Sequence, residues 1–162
     1  MTAPALPPCG IYRTATAIGT VEAGRLVYFH NHGKPGPGIY FPEKWSHNRA
    51  QFSANGMTLP EPFDPRWLQP LPAEGLYRVA RAFYCCEKKC TQFEPDALVQ
   101  LGYNGAAKPL LFVPEISSRG ISVPERGTAI DDAAFASLVA LKVSQRQDED
   151  PEISLPRGII VH

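Results

Sequence analysis

Two stretches of the chain match position for position. Gly10-Ile-Tyr-Arg-Thr-Ala-Thr-Ala-Ile18 and Gly75-Leu-Tyr-Arg-Val-Ala-Arg-Ala-Phe83 share five of nine residues, where ordinary residue usage gives about one chance match in fifteen or twenty per position. The register continues. At an offset of 72, Leu26-Val27 falls on Leu98-Val99, Gly33 on Gly105, Pro37 on Pro109 and Pro42-Glu43 on Pro114-Glu115. Gly56 and Leu59 then meet Gly127 and Ile130 at 71, and Leu68 and Leu71 meet Leu138 and Leu141 at 70. A chain built this way folds as two like units. The change from 65 to 72 is a seven-residue insertion within Tyr84 to Asp96 of the second unit, the segment that holds three of the four cysteines.

Local patterning assigns these units to β structure. Tyr12, Thr14 and Thr16 alternate with Ile11, Arg13 and Ala15, the period of two expected of a strand. Arg25-Leu-Val-Tyr-Phe-His30 reads as a second, more buried strand, and Gly38-Ile-Tyr-Phe-Pro42 as a third that ends at its proline. Arg49-Ala-Gln-Phe52 and Met57-Thr-Leu59 flank Asn55-Gly56, a two-residue hairpin signal. Asp64-Pro65 reads as an N-cap followed by proline at the first helical position, so one helical turn is expected at Trp67. In the second unit Asp131-Asp132-Ala-Ala-Phe-Ala-Ser-Leu138 carries an acidic start and helical spacing, which predicts a short helix of two to three turns. The 17 prolines and 13 glycines, spread without a low-complexity block, fit many short elements joined by tight turns.

The strand order and the recurring Leu-Val, Pro-Glu and Gly-x-x-[Leu/Ile] landmarks resemble an SH3-like barrel. The resemblance implies an all-β chain of two tandem SH3-like small barrels: an extended arm over 1–9, a first barrel over 10–73, a second over 74–143 and a polar tail over 144–162. Pro4 and Pro7 in the arm form a PxxP spacing that a polyproline II turn can use, and Ile159-Ile-Val161 in the tail can add an edge strand. SH3-like barrels host unrelated functions, so the architecture carries none across. In such barrels a groove lined by Tyr and Trp docks extended peptides. Tyr12, Tyr28, Trp45, Tyr77 and Tyr103 are therefore the expected partner-binding residues, and a non-catalytic protein- or peptide-binding module is the leading functional expectation.

Composition narrows the alternatives. Sixteen basic and sixteen acidic side chains leave no net positive charge, so overall charge gives a nucleic-acid partner no support, and only a local stripe of Arg13, Arg49, Arg78, Arg81, Lys88 and Lys89 keeps a nucleic-acid-binding SH3-like protein as a further alternative. No apolar run reaches the roughly 20 residues that span a bilayer, and the first nine residues lack the charged and apolar regions of a signal peptide. A cytoplasmic location is expected, and with it reduced cysteines. Oligomeric state is not legible.

Cys85-Cys86-Glu-Lys-Lys-Cys90 is the alternative to peptide binding. Three thiols within six residues can converge on a soft ion such as zinc, and Lys88 and Lys89 favour the thiolates. Cys9 or a first-unit histidine is the candidate fourth ligand. His30 and His32, two apart, fall on one face if the strand continues, with His47 near across the loop; their second-unit counterparts are Gly102 and Asn104. Gly33-Lys-Pro-Gly-Pro-Gly38 lacks the spacing and following helix of a phosphate loop and reads as a turn. No nucleophile, base and orienting group come together in sequence, so the chain is expected not to be an enzyme.

Overall fold

A computed structural model describes residues 5–33 and 36–144. Lys34 and Pro35, Pro4 of the PxxP spacing and Ile159-Ile-Val161 lie outside them. Each half forms one five-stranded antiparallel sheet. The first is built from β1 (Gly10–Thr14), β2 (Leu26–His30), β3 (Gly38–Ser46), β4 (Arg49–Thr58) and β5 (Leu68–Pro70), in the order β4-β3-β2-β1-β5. In the second half β6 (Gly75–Val79), β9 (Leu98–Tyr103), β10 (Pro109–Phe112), β13 (Thr128–Ala129) and β14 (Leu138–Ala140) stand in the equivalent order β13-β10-β9-β6-β14. Two separate hairpins project from the second half, β7 (Phe83–Tyr84) with β8 (Gln92–Phe93) and β11 (Glu115–Ser117) with β12 (Gly120–Ser122).

Strand register repeats between halves. Tyr12 faces Val27 and Pro70, and its counterpart Tyr77 faces Val99 and Ala140. The pair Phe29 and Ile39 recurs as Leu101 and Leu111. Even a side-chain bond recurs: Tyr12 donates its hydroxyl to Pro8 O and Tyr77 donates to Ala73 O, each four residues back and each 2.6 Å.

The expected SH3-like barrels do not form, because neither sheet closes. Its edges are β4 and β5 in one half and β13 and β14 in the other, and no ladder joins them. Proline explains why. The segment between β4 and β5 carries Pro60, Pro62 and Pro65, and β5 itself ends at Pro70, so this stretch has few backbone donors with which to extend either edge toward the other. In the second half the sealing strand β13 has only two residues, four positions after Pro124. The predicted helices are 3-10 turns, Pro65–Trp67 and Asp132–Ser137. Asp64 caps the first of them by accepting from Arg66 N.

Two open sheets must bury their faces elsewhere, and here they share a core. Tyr12, Val27, Phe29, Ile39 and Leu68 pack on one side of the first sheet. On its other side Leu26, Ala50, Phe52 and Leu71 join Tyr77, Val99, Leu101, Tyr103 and Leu111 of the second half in a single cluster. This double burial explains why Leu26 to His30 reads as a nearly unbroken apolar run rather than an alternating one. Polar bonds reinforce the join. Arg13 pairs with Asp132 and also donates to Ala107 O at 2.6 Å, while Trp45 Nε1 donates to Tyr103 O at 2.7 Å.

Candidate metal centres

The seven inserted residues form the end of the β7–β8 hairpin. Phe83 stacks on Phe93 across it, and Cys85 N donates to Thr91 O at 2.9 Å to close the stem. Beyond that pair the chain must reverse, and it does so through a turn in which Lys89 N donates to Cys86 O at 2.9 Å and Lys89 takes a positive φ of 55°. This left-handed residue folds Cys90 back over Cys85 and Cys86. The Cys85, Cys86 and Cys90 sulfurs all lie within 4.8 Å of one another, and Cys85 and Cys86 are 3.6 Å apart. For Zn–S bonds of 2.3 Å in a tetrahedron, neighbouring sulfurs should sit about 3.8 Å apart.

Electrostatics of the loop suit thiolates. Thr91 N donates to Cys85 Sγ at 3.3 Å. A hydrogen bond from Cys85, followed by backbone donation from Lys88, holds the Cys86 thiol below its ordinary pKa. Cys90 is pushed the other way, first by the charge of Cys86. A cation among the sulfurs would offset the repulsion that opposes ionising Cys86 and Cys90 together. Cys85 is buried and Cys90 exposed, so one side of the sulfur triangle faces the core and the other faces solvent. Asp131 N donates to Cys85 O at 3.0 Å, which ties the loop to the start of the second 3-10 helix. Lys89 Nζ lies 5.2 Å from the centre of the Tyr84 ring.

Cys9 does not join this loop. It belongs to a second group, with His30 and His32, whose ligand atoms also lie within 4.8 Å of one another. The pairing of β1 with β2 produces it: Gly10 stands opposite Phe29, so the residue before Gly10 meets the residue after Phe29. Cys9 Sγ lies 3.6 Å from His30 Nδ1 and 3.9 Å from His32 Nδ1, and it accepts from Asn31 N at 3.3 Å. His30 is buried, and that desolvation, with His32 beside it, lowers its pKa and favours the neutral imidazole a metal requires. His47 stands apart in the β3–β4 turn beside Ser46.

The aromatic residues expected to bind a partner make contacts within the molecule. Tyr12, Tyr77 and Tyr103 are core residues whose hydroxyls donate to Pro8, Ala73 and Pro72 carbonyls. Tyr28 packs edge-on against Phe52, and Trp45 bridges the two halves. With no barrel to form the groove, the peptide-binding reading falls, and the two sulfur- and nitrogen-rich clusters take its place. No protein-family model matches the chain, and neither a characterised protein nor a solved structure does. Among the described residues, no helix is long and apolar enough to cross a membrane.

Proposed function

We propose that this is a metal-binding protein whose β7–β8 hairpin loop holds a zinc-type ion through Cys85, Cys86 and Cys90. The observation that carries the reading is the convergence of three sulfurs at ligand spacing on a loop that the first half of the molecule does without. An ion there displaces three thiol protons and leaves one coordination position toward solvent, where water or an exogenous ligand completes a tetrahedron. Because the first half folds an equivalent sheet without the loop, the ion orders the hairpin tip and is not needed for the sheets. Its exposed side and open position suit reversible binding, as in a sensor or carrier, more than a sealed structural site.

Alkylation mapping tests this directly. Zinc added to the reduced full-length chain should protect Cys85, Cys86 and Cys90 from iodoacetamide as a group, read by peptide mass spectrometry. The Cys85→Ser variant should lose that protection at Cys90, the exposed thiol. Equal alkylation of all three with and without zinc would overturn the proposal.

A further inference from the structure

The two halves differ most where they should be most alike. The second-half counterparts of Cys9, His30 and His32 are Glu74, Gly102 and Asn104. There the corner is filled by the first half's β3–β4 hairpin. Glu74 Oε2 accepts from Ala50 N at 3.0 Å, Asn48 Nδ2 donates to Gln100 Oε1 at 3.1 Å, and a Cβ on Gly102 would sit 2.6 Å from Asn48 O. Backbone can approach that closely only because Gly102 has no side chain. In the first half the imidazole of His30 occupies the equivalent position, so no hairpin can seat there in the same way. What the sequence supplies instead is three side chains that all ligate metals.

We infer that the Cys9–His30–His32 corner is a second, independent metal site for a divalent ion of the zinc class, bound by one sulfur and two nitrogens. Tetrahedral zinc with bonds of 2.3 Å to sulfur and 2.0–2.1 Å to nitrogen places sulfur about 3.6 Å from each nitrogen. The Cys9 Sγ to His30 Nδ1 distance, 3.6 Å, is already at that value, and the distance to His32 Nδ1, 3.9 Å, is slightly longer. Asn31 arranges the corner. Its Nδ2 donates to Pro7 O at 3.2 Å, its N donates to Cys9 Sγ, and its Oδ1 lies 3.2 Å from Cys9 Sγ and 2.7 Å from His32 Nδ1. The amide oxygen thus accepts from the Cys9 thiol and from His32 Nδ1–H; an incoming ion displaces the thiol proton and takes His32 Nδ1 once that ring carries its proton on Nε2, and Asn31 N then remains as the hydrogen-bond donor to the metal-bound sulfur, the support such ligands usually carry. Binding releases one proton here against three at the hairpin loop. The ion also fastens the segment before β1 to the end of β2, the tie that the docked hairpin provides in the other half.

The site is tested apart from the loop, in full-length Cys86→Ser/Cys90→Ser protein titrated with Co(II) and Zn(II). That background should still bind one equivalent, with a sulfur-to-cobalt charge-transfer band. Zinc should shift two of the chain's four histidine imidazole NMR signals. Adding Cys9→Ser should abolish the charge-transfer band, and His32→Ala, at an exposed position that keeps the buried His30, should weaken binding at least tenfold. No ion bound in the background, or binding indifferent to both added substitutions, would overturn the inference even if the hairpin loop binds metal as proposed.

Discussion

Glu74 is the residue on which the junction of the halves turns. Its carboxylate receives Ala50 N from the first half, yet burial dominates its environment and pushes its pKa from 4.5 up to about 7, against the smaller opposing effects of that hydrogen bond and of Arg49. The folded state therefore prefers the protonated acid. Stability from this group is complete below pH 4.5 and is lost as pH rises toward 7, the reverse of an ion-paired carboxylate. A gap of that size corresponds to roughly 3–4 kcal/mol at most. Glu74→Gln keeps an oxygen for Ala50 N and has no proton to lose. Urea unfolding at pH 5 and pH 8 should show the wild type less stable at pH 8 by an amount that Glu74→Gln largely removes. If the two proteins lose stability equally across that range, the carboxyl is not the cause. The position sits directly before Gly75 and aligns with Cys9, so one corner of the repeat has been put to two different uses.

Among the elements, the paired hairpins show how position in the assembly overrides descent. Counted from their two-residue turns, Trp45 opposite Ala50 in β3–β4 corresponds to Ile116 opposite Ile121 in β11–β12. The first pair meets the second half: Ala50 is buried and Trp45 donates to Tyr103 O. The second pair is left in solvent, with Ile116 82% and Ile121 69% exposed. Trp45→Ala should therefore cost about 1–3 kcal/mol by thermal or urea unfolding, since it frees a carbonyl at the join and removes aromatic packing. Ile116→Ala should lie within about 0.5 kcal/mol of wild type. Equal costs would mean that β11–β12 is covered after all.

The same elements mark what sequence can and cannot carry. Strands at Tyr12 and Leu26 were legible because alternation and turn residues are local, and the offsets of 65, 72, 71 and 70 recur in the strand pairing because duplication copies register. Barrel closure was not legible, because it depends on whether two distant edges meet, and prolines between Leu59 and Pro70 decide that against the general pattern of the strands. Convergence of Cys85, Cys86 and Cys90 follows from their closeness in sequence. Convergence of Cys9 with His30 needed one more step. Pairing β1 to β2 from Gly10 onward would have placed them opposite each other, whereas without that pairing Cys9 and a first-unit histidine stood only as alternative fourth ligands for the distant cysteine loop.

At the scale of the whole molecule, duplication would suggest two independent domains, but the packing argues for one cooperative unit. Each half has few residues with which to enclose a core, and open sheets of this size are marginal alone. The second half's cluster is completed by Leu26, Ala50, Phe52 and Leu71 from the first. Arg13 crosses to Asp132 and Ala107 O, and Leu26 N donates to Gly105 O at 3.1 Å. Removing either half would uncover apolar surface on the other, and at about 25 cal/mol per Å² even a few hundred Å² rivals the marginal stability of a small domain. Metal-free protein should consequently unfold in a single calorimetric transition whose van't Hoff and calorimetric enthalpies agree. Residues 74–143 expressed alone should lack a comparable transition, because four of the side chains that close their core are then missing. Two resolved transitions in the intact chain, or a 74–143 fragment that melts at the temperature of the whole, would show instead that each sheet carries its own stability and that the shared cluster contributes little.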